Sequence, residues 1–346
     1  MMHSFSLVTA IRRRLAESAR RRRFARALVQ VHGHKGFAVP EGAVLAIVLV
    51  RDGAYYLDAF LEYYRAMGIS HFAFIDNGSQ DATLDRLKTE PGVVVDQACL
   101  PLPQYEDLLR SHPAQTYGRN RWCLYVDMDE QFDFEGRKAH GVRALVHYLE
   151  KRGDTGMLAQ MVEMFPDVPL RETRDLTFEE ALARFRFYDV RSIESLPYHS
   201  DTIEFSALLR DNHAPTAAVF KFGGVRKRVF NEDCCLTKHP LIFNGPSVTP
   251  APHPHLSSGV RVSDVQGVIR HYKFAGNTAA RDGASAGSGA LAHGEDRARL
   301  AVMNAQPDVS LFSDGAQLWS GIGPLYAAGF LQVSDAYRAD LEEPRG

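Results

Sequence analysis

The 346-residue chain holds four cysteines, Cys99, Cys123, Cys234 and Cys235, and no two of them have C-x-x-C or zinc-ligand spacing. A disulfide framework and a structural zinc site are therefore not expected, and a reducing, cytoplasmic setting is the simplest inference. Charge of one sign is lacking as well. Forty Lys and Arg against 42 Asp and Glu leave a formal charge of -2, which excludes an overall basic field for nucleic acid. No stretch reaches the roughly 18 to 20 uninterrupted apolar residues of a membrane span. No apolar core follows the N-terminal arginines as a secretory signal requires, and no internal repeat is visible. The composition is that of a soluble globular protein with ample length for a large core.

Basic charge is present, but locally. The first 26 residues carry Arg12, Arg13, Arg14, Arg20, Arg21, Arg22, Arg23 and Arg26 against a single acid, Glu17. Ile11, Leu15, Phe24 and Leu28 interrupt them, so residues 1–40 read as a basic arm. It is either a helix resting on an anionic membrane surface, which would place the protein at the inner membrane face through residues 1–30, or a solvated extension.

Beyond the arm, Val44 to Val50 is a continuous apolar run, as expected for a strand covered on both faces. Ala54 to Met67 spaces Tyr56, Leu57, Phe60, Leu61, Tyr64 and Met67 as a helix stopped by Gly68. A second strand at His71 to Ile75 breaks at Asp76-Asn77-Gly78-Ser79, which suits a turn before a helix from Gln80 to Thr89. Val93 to Val95 and Leu124 to Val126 supply further strands. The alternation predicts a doubly wound α/β fold, with a mostly parallel sheet covered by helices on both faces. Ligands in such sheets bind beyond the carboxyl ends of the strands, where Arg51, Asp76 and Asp127 fall.

After about residue 155 the pattern weakens into short apolar stretches and an irregular C-terminal portion. Gly276 to Gly289, rich in Ala, Gly and Ser, reads as a flexible loop, and a helix is expected from about His293 to Asn304. The organisation is thus an arm over 1–40, a main domain over 41–275, and a loop with a helical extension over 276–346.

The run Leu124-Tyr125-Val126-Asp127-Met128-Asp129-Glu130 delivers three carboxylates to the end of a strand. Alternation would project Asp127 and Asp129 to one side, where a hard cation such as Mg²⁺ or Mn²⁺ prefers oxygen ligands. A solvated acidic turn is the bland alternative. Arg226 and Arg228 have the spacing of two residues on one strand face, able to hold phosphate or an acidic acceptor. Solvent-facing strand arginines explain them equally.

These pieces, in order, resemble the family 2-like glycosyltransferases of the GT-A fold. The opening is Val50-Arg51-Asp52-Gly53, Tyr56-Leu57, Gly68-Ile69-Ser70-His71-Phe72 and Asp76 to Thr83, with Asp127-Met128-Asp129-Glu130 at the D-x-D-E position. Gly223-Gly224-Val225-Arg226-Lys227-Arg228-Val229-Phe230, Lys238-His239-Pro240-Leu241 and His271-Tyr272-Lys273-Phe274 match a G-G-V-R-x-R-x-F, K-x-P-L and H-[FY]-K branch. The resemblance spans about residues 44 to 275. It departs at Asp52-Gly53, where the family often has Asn-Glu, and at Gln131, where it has an aromatic.

The resemblance implies sugar transfer from a nucleotide-diphosphate donor to a hydroxyl of a glycan or glycolipid, as in cell-surface polysaccharide synthesis, assisted by Mn²⁺ or Mg²⁺. Asp129 would bind the ion, Asp127 the ribose or the metal shell, and Asp76 the nucleoside, with Arg51 beside it. His271 would close the metal or diphosphate site, with His253 and His255 as rivals. Arg226 and Arg228 would face phosphate. For the base that deprotonates the acceptor, Glu163 comes first and Asp167 second, while Asn231-Glu232-Asp233 reads as a variable loop. Competing readings are a Mg²⁺-dependent phosphotransferase or phosphatase built on the D-x-D, a glycosidase using paired carboxylates, and a non-catalytic nucleotide-sugar-binding protein.

Overall fold

The computed structural model describes residues 2–288 and 294–343. Its first half alternates as the apolar runs require. Helix α1 (Met2–Ala27) leads into β1 (Val29–His32), then β2 (Leu45–Val50), α2 (Leu57–Ala66), β3 (His71–Asp76), α3 (Thr83–Leu87) and β4 (Val93–Gln97). There follow α4 (Leu102–Tyr117), β5 (Trp122–Tyr125), β6 (Glu130–Asp133), α5 (Arg137–Arg152) and β7 (Gly156–Glu163).

The second half is built from shorter pieces. These are α6 (Phe178–Arg184), β8 (Phe187–Tyr188), β9 (Ile193–Pro197), α7 (Ser206–Leu209), β10 (Val219–Gly223), α8 (Gly224–Phe230), β11 (Thr237–Lys238) and β12 (Leu241–Phe243). Next come β13 (Thr249–His253), β14 (Leu256–Ser258), β15 (Val262–His271), α9 (Thr278–Ser288) and α10 (Glu295–Ala305). Last are β16 (Gln317–Leu318), α11 (Gly323–Ala327) and α12 (Asp335–Glu342).

One large mixed sheet organises the molecule in the order β1-β4-β3-β2-β5-β12-β7-β15-β6, with β11 also pairing β7. Its longest ladders, β2 on β3, β3 on β4 and β7 on β15, are parallel. Burial on both faces explains the unbroken apolar runs: Ala46 and Val48 enter one core with Phe60, Tyr64 and Leu145, while Leu45 and Ile47 enter another with Cys123 and Leu158. The protein is therefore α/β with helices against a large mixed sheet.

The second half, irregular as its broken apolar pattern suggests, completes the sheet through β11, β12 and β15. Two expectations are corrected. The Ala-, Gly- and Ser-rich segment is helical over Thr278–Ser288 rather than a loop, held by ion pairs that its local composition does not advertise. Gly289 and His293, the ends of that expected loop and of the following helix, lie outside the described residues. Finally, residues 29–32 of the arm pair antiparallel with β4 as an edge strand. Among the described residues no helix is long and apolar enough to cross a membrane.

Candidate functional site

The carboxyl ends of β5, β7 and β15 meet at one edge, and register fixes what they bring. His271 lies opposite Glu163 in the parallel ladder and opposite Glu130 in the antiparallel ladder with β6. Three ionisable groups from positions far apart in sequence thus stand in a row.

Asp127 and Asp129 lie in the turn between β5 and β6, not on a strand. The Glu130 amide donates to the Asp127 carbonyl at 3.1 Å, and the Glu130 Oε2 accepts the Asp127 amide at 3.1 Å. Met128 is buried between the two aspartates and anchors the turn. The alternation argument therefore fails. The two carboxylates serve different partners.

Asp127 is held by cations. Its Oδ1 accepts from Arg110 Nη1 at 2.9 Å and its Oδ2 from Lys238 Nζ at 3.0 Å. Arg110 also binds Glu106 at 2.9 Å, and Lys238 binds Glu130. Burial pushes the Asp127 carboxyl up, but the guanidinium and the ammonium outweigh it and hold the group well below the ordinary carboxylate range. For Glu130 burial wins over Lys238, and its carboxyl is pushed up.

Asp129 faces His271 instead. His271 Nε2 stands 3.3 Å from Asp129 Oδ2, and Nδ1 stands 3.1 Å from Glu163 Oε2. The other Glu163 oxygen accepts the Lys273 amide at 3.2 Å. Burial pushes the imidazole down, but Glu163 and Asp129 outweigh it and raise its pKa to about 9. Asp129 is depressed for the reciprocal reason, with His271 overcoming burial.

This geometry bears on metal binding. Among the described residues no group of three or more His, Cys, Asp or Glu is arranged to hold one ion. A carboxylate and an imidazole nitrogen do converge, and the imidazole is oriented from its other nitrogen by a carboxylate, the arrangement that commonly supports metal-binding histidines. Mg²⁺ and similar ions take one or two protein groups and complete their shell with substrate phosphate and water. Asp129 and His271 fit that use. Asp127 does not join them while Arg110 and Lys238 occupy both its oxygens.

Asp76 ends β3 fully buried, and its carboxylate accepts from the Gly78 and Ser79 amides, the Ser79 hydroxyl and Gln97. It caps the turn from within. Arg51 is exposed and stands 3.8 Å from Asp52. Asp52 adopts φ +54 and links the two loops, donating its amide to Ser79 Oγ at 2.8 Å and accepting the Gln80 amide at 2.7 Å. The next position must be small: a Cβ on Gly53 would lie 2.6 Å from Val50 Cγ2 and 3.3 Å from Met128 Cε.

The remaining candidates disperse. Arg226 and Arg228 stand on helix α8, not on a strand, because Gly223 and Gly224 at φ +88 and +72 end β10 and start a helical turn. Arg226 is buried on Glu232, and Arg228 donates to the Leu311 carbonyl. Glu232, in the loop that follows α8, is correspondingly buried. Asp167 is exposed beyond β7. His253 packs against Phe205 with tilted rings, and His255 Nδ1 donates to the Thr237 carbonyl at 3.2 Å.

The residues that sequence reasoning missed are Arg110 and Glu106. Lys238 was visible only as part of K-x-P-L. Comparison with protein-family models and with curated proteins gives no match to this chain.

Proposed function

We propose that the protein is a glycosyltransferase of GT-A type, taking a sugar from a nucleotide-diphosphate donor to an acceptor hydroxyl of a glycan or glycolipid. One observation carries the reading. Asp129 Oδ2 and His271 Nε2 face each other across 3.3 Å at the carboxyl edge of the sheet, with Glu163 fixing the imidazole from behind. The D-x-D-E, K-x-P-L and H-Y-K motifs support it by supplying these same groups: Asp127, Asp129 and Glu130 from the first, Lys238 from the second and His271 from the third.

A Mn²⁺ or Mg²⁺ ion on Asp129 and His271 would stabilise the negative charge that develops on a departing diphosphate. The chain's own groups do the rest. Glu163 holds the His271 tautomer, accepting at Nδ1 so that Nε2 presents its lone pair once deprotonated. In this role Glu163 is a positioning residue, since both of its oxygens are engaged. Lys238 and Arg110 place two positive charges beside the turn, where phosphate oxygens compete with Asp127 for them. The loop pair from Asp52 to Asp81, cross-linked by its own hydrogen bonds, offers a rigid floor for a nucleoside. A phosphotransferase using Asp127 as nucleophile is disfavoured, because both of its oxygens are neutralised by cations.

The test is nucleotide binding by calorimetry with UDP and GDP, in Mn²⁺ and in chelator. Binding is expected to strengthen markedly with Mn²⁺, and Asp129→Asn and His271→Ala should each remove that gain while circular dichroism stays unchanged. Equal affinity in metal and in chelator defeats the proposal. A thermal-shift panel of nucleotide sugars with Mn²⁺ then identifies the donor, since a ligand of the folded state alone raises the melting temperature.

A further inference from the structure

Helix α1 has two unlike sides. At about 100° per residue, Glu17, Arg20, Phe24 and Ala27 share one side. That side faces the body: Phe24 is buried among Tyr105, Leu108 and Leu109 of α4, and Arg20 donates to both Asp107 oxygens at 2.6 and 2.7 Å. The opposite side carries Ile11, Leu15, Ser18, Arg22 and Arg26, flanked by Arg12, Arg14 and Arg21.

The outward side is the one a buried protein face does not explain. Ile11 and Leu15 are 48% and 62% exposed, among the few large apolar side chains left in solvent. Arg12, Arg14, Arg22 and Arg26 make no ion pair among the described residues; Glu17, the helix's only acid, is taken by Arg20 and Arg21. A merely solvated helix gains from acids spaced four residues from its arginines, and this one has none on that side. Apolar side chains centred in an unneutralised cationic stripe match a surface that is both anionic and apolar just beneath its charge.

We infer that the outward face of α1 docks the protein on anionic phospholipid membranes. Ile11 and Leu15 enter the headgroup region, and the arginines contact lipid phosphates. Phe24 and Arg20 transmit that docking to the body. On α4, Asp107 holds Arg20 and, three residues on, Arg110 holds Asp127, so the docked helix lies one helical turn from the candidate site. The inference stands independently of the glycosyltransferase reading.

Cosedimentation of the full chain tests it, using phosphatidylcholine vesicles with and without phosphatidylglycerol. Binding is expected only with the anionic lipid and should weaken with salt. Arg12→Ser/Arg14→Ser/Arg22→Ser should reduce partitioning on the order of a hundredfold, from the ~1 kcal/mol each basic residue contributes at such a surface. Ile11→Ser/Leu15→Ser, which keeps every charge, should reduce it about tenfold. All five positions are exposed, so folding should persist, and circular dichroism checks this. Equal pelleting by neutral vesicles overturns the inference, as does no effect of Ile11→Ser/Leu15→Ser. Tighter retention on duplex DNA than on anionic vesicles would reassign the face to nucleic acid and equally overturn it.

Discussion

Replacing Arg299 by methionine perturbs the molecule in a way that the structure makes calculable. The guanidinium, on α10, is completely buried and bridges two carboxylates: Nε and Nη2 grip Asp282 of α9 at 2.7 and 2.8 Å, and Nη1 reaches Glu232, in the loop after α8, at 2.8 Å. Removing one partner of a buried pair typically costs about 3–5 kcal/mol, because the other charge is stranded. Glu232 keeps Arg226, whose Nη2 lies at 2.6 Å, so only Asp282 is orphaned, which selects the lower end, about 3 kcal/mol.

That loss should be local. The hairpin of α9 and α10 contributes few apolar side chains to the core, Val302 and Met303 being only partly buried, so it opens before the sheet does. Hydrogen exchange should quicken on the order of a hundredfold in Thr278–Ser288 and Glu295–Ala305, the equivalent of about 3 kcal/mol, while β2, β3, β7 and β15 keep their protection. Nucleotide binding should weaken with it, since Arg281 ties α9 to the Lys273 and Ala275 carbonyls just after His271. Adding Asp282→Leu removes the stranded charge and should restore most of the protection. Exchange unchanged in Arg299→Met, or a double variant worse than the single one, refutes the reasoning.

His239 sets an acid limit on stability. Its Nδ1 accepts the Ser257 amide at 3.3 Å, so the neutral ring donates from Nε2 to Tyr198, and burial holds its pKa down at about 4. The unfolded chain then takes up the proton first, and stability falls as pH drops from about 6.5 toward 4, by about 2 kcal/mol at pH 5. Urea unfolding at pH 7 and 5 should show a shallower loss in His239→Gln; identical losses contradict the assignment. Asp127→Asn should raise UDP affinity in chelator on the order of tenfold, because Arg110 and Lys238 lose a competing charge yet keep Glu106 and Glu130. Weaker binding of the nucleotide in chelator would show instead that Asp127 itself contacts it.

How legible this was from sequence depended on the range of the interactions. Strands β2 to β5 were readable because a strand buried on both faces must be apolar throughout, and Leu45 to Val50 is. Asp129, His271 and Glu163 were named as site residues and do come together, yet the reason is the register of β15 between β7 and β6, which no local pattern encodes. Arg110 had no signal beyond its spacing from Glu106, since its decisive partner lies across a strand. Helix α9 is illegible in the sequence because Ala, Gly and Ser are compositional cues for a loop, whereas Asp282 gains its partner from α10. The G-G-V-R-K-R segment failed similarly: two glycines in the left-handed region turn a strand into a helix at that point.

The divided labour of the D-x-D turn follows from these pairings. Met128 is buried, so the chain on either side must diverge, and Asp127 and Asp129 leave the turn toward different neighbours. Asp127 meets two fixed cations and behaves as an internal anion that keeps Lys238 and Arg110 charged and in place. Asp129 meets an imidazole whose proton both carboxylates favour. The site is thus compensated before any ligand arrives. In the proposed reading a diphosphate would find Lys238 and Arg110 already in place and would compete with Asp127 for them. Under the same reading Asp129 and His271 would hold a divalent ion once the imidazole is deprotonated, and the ion would supply charge stabilisation to the diphosphate. Both roles would draw on partners that the fold already fixes, so little side-chain reorganisation would accompany binding.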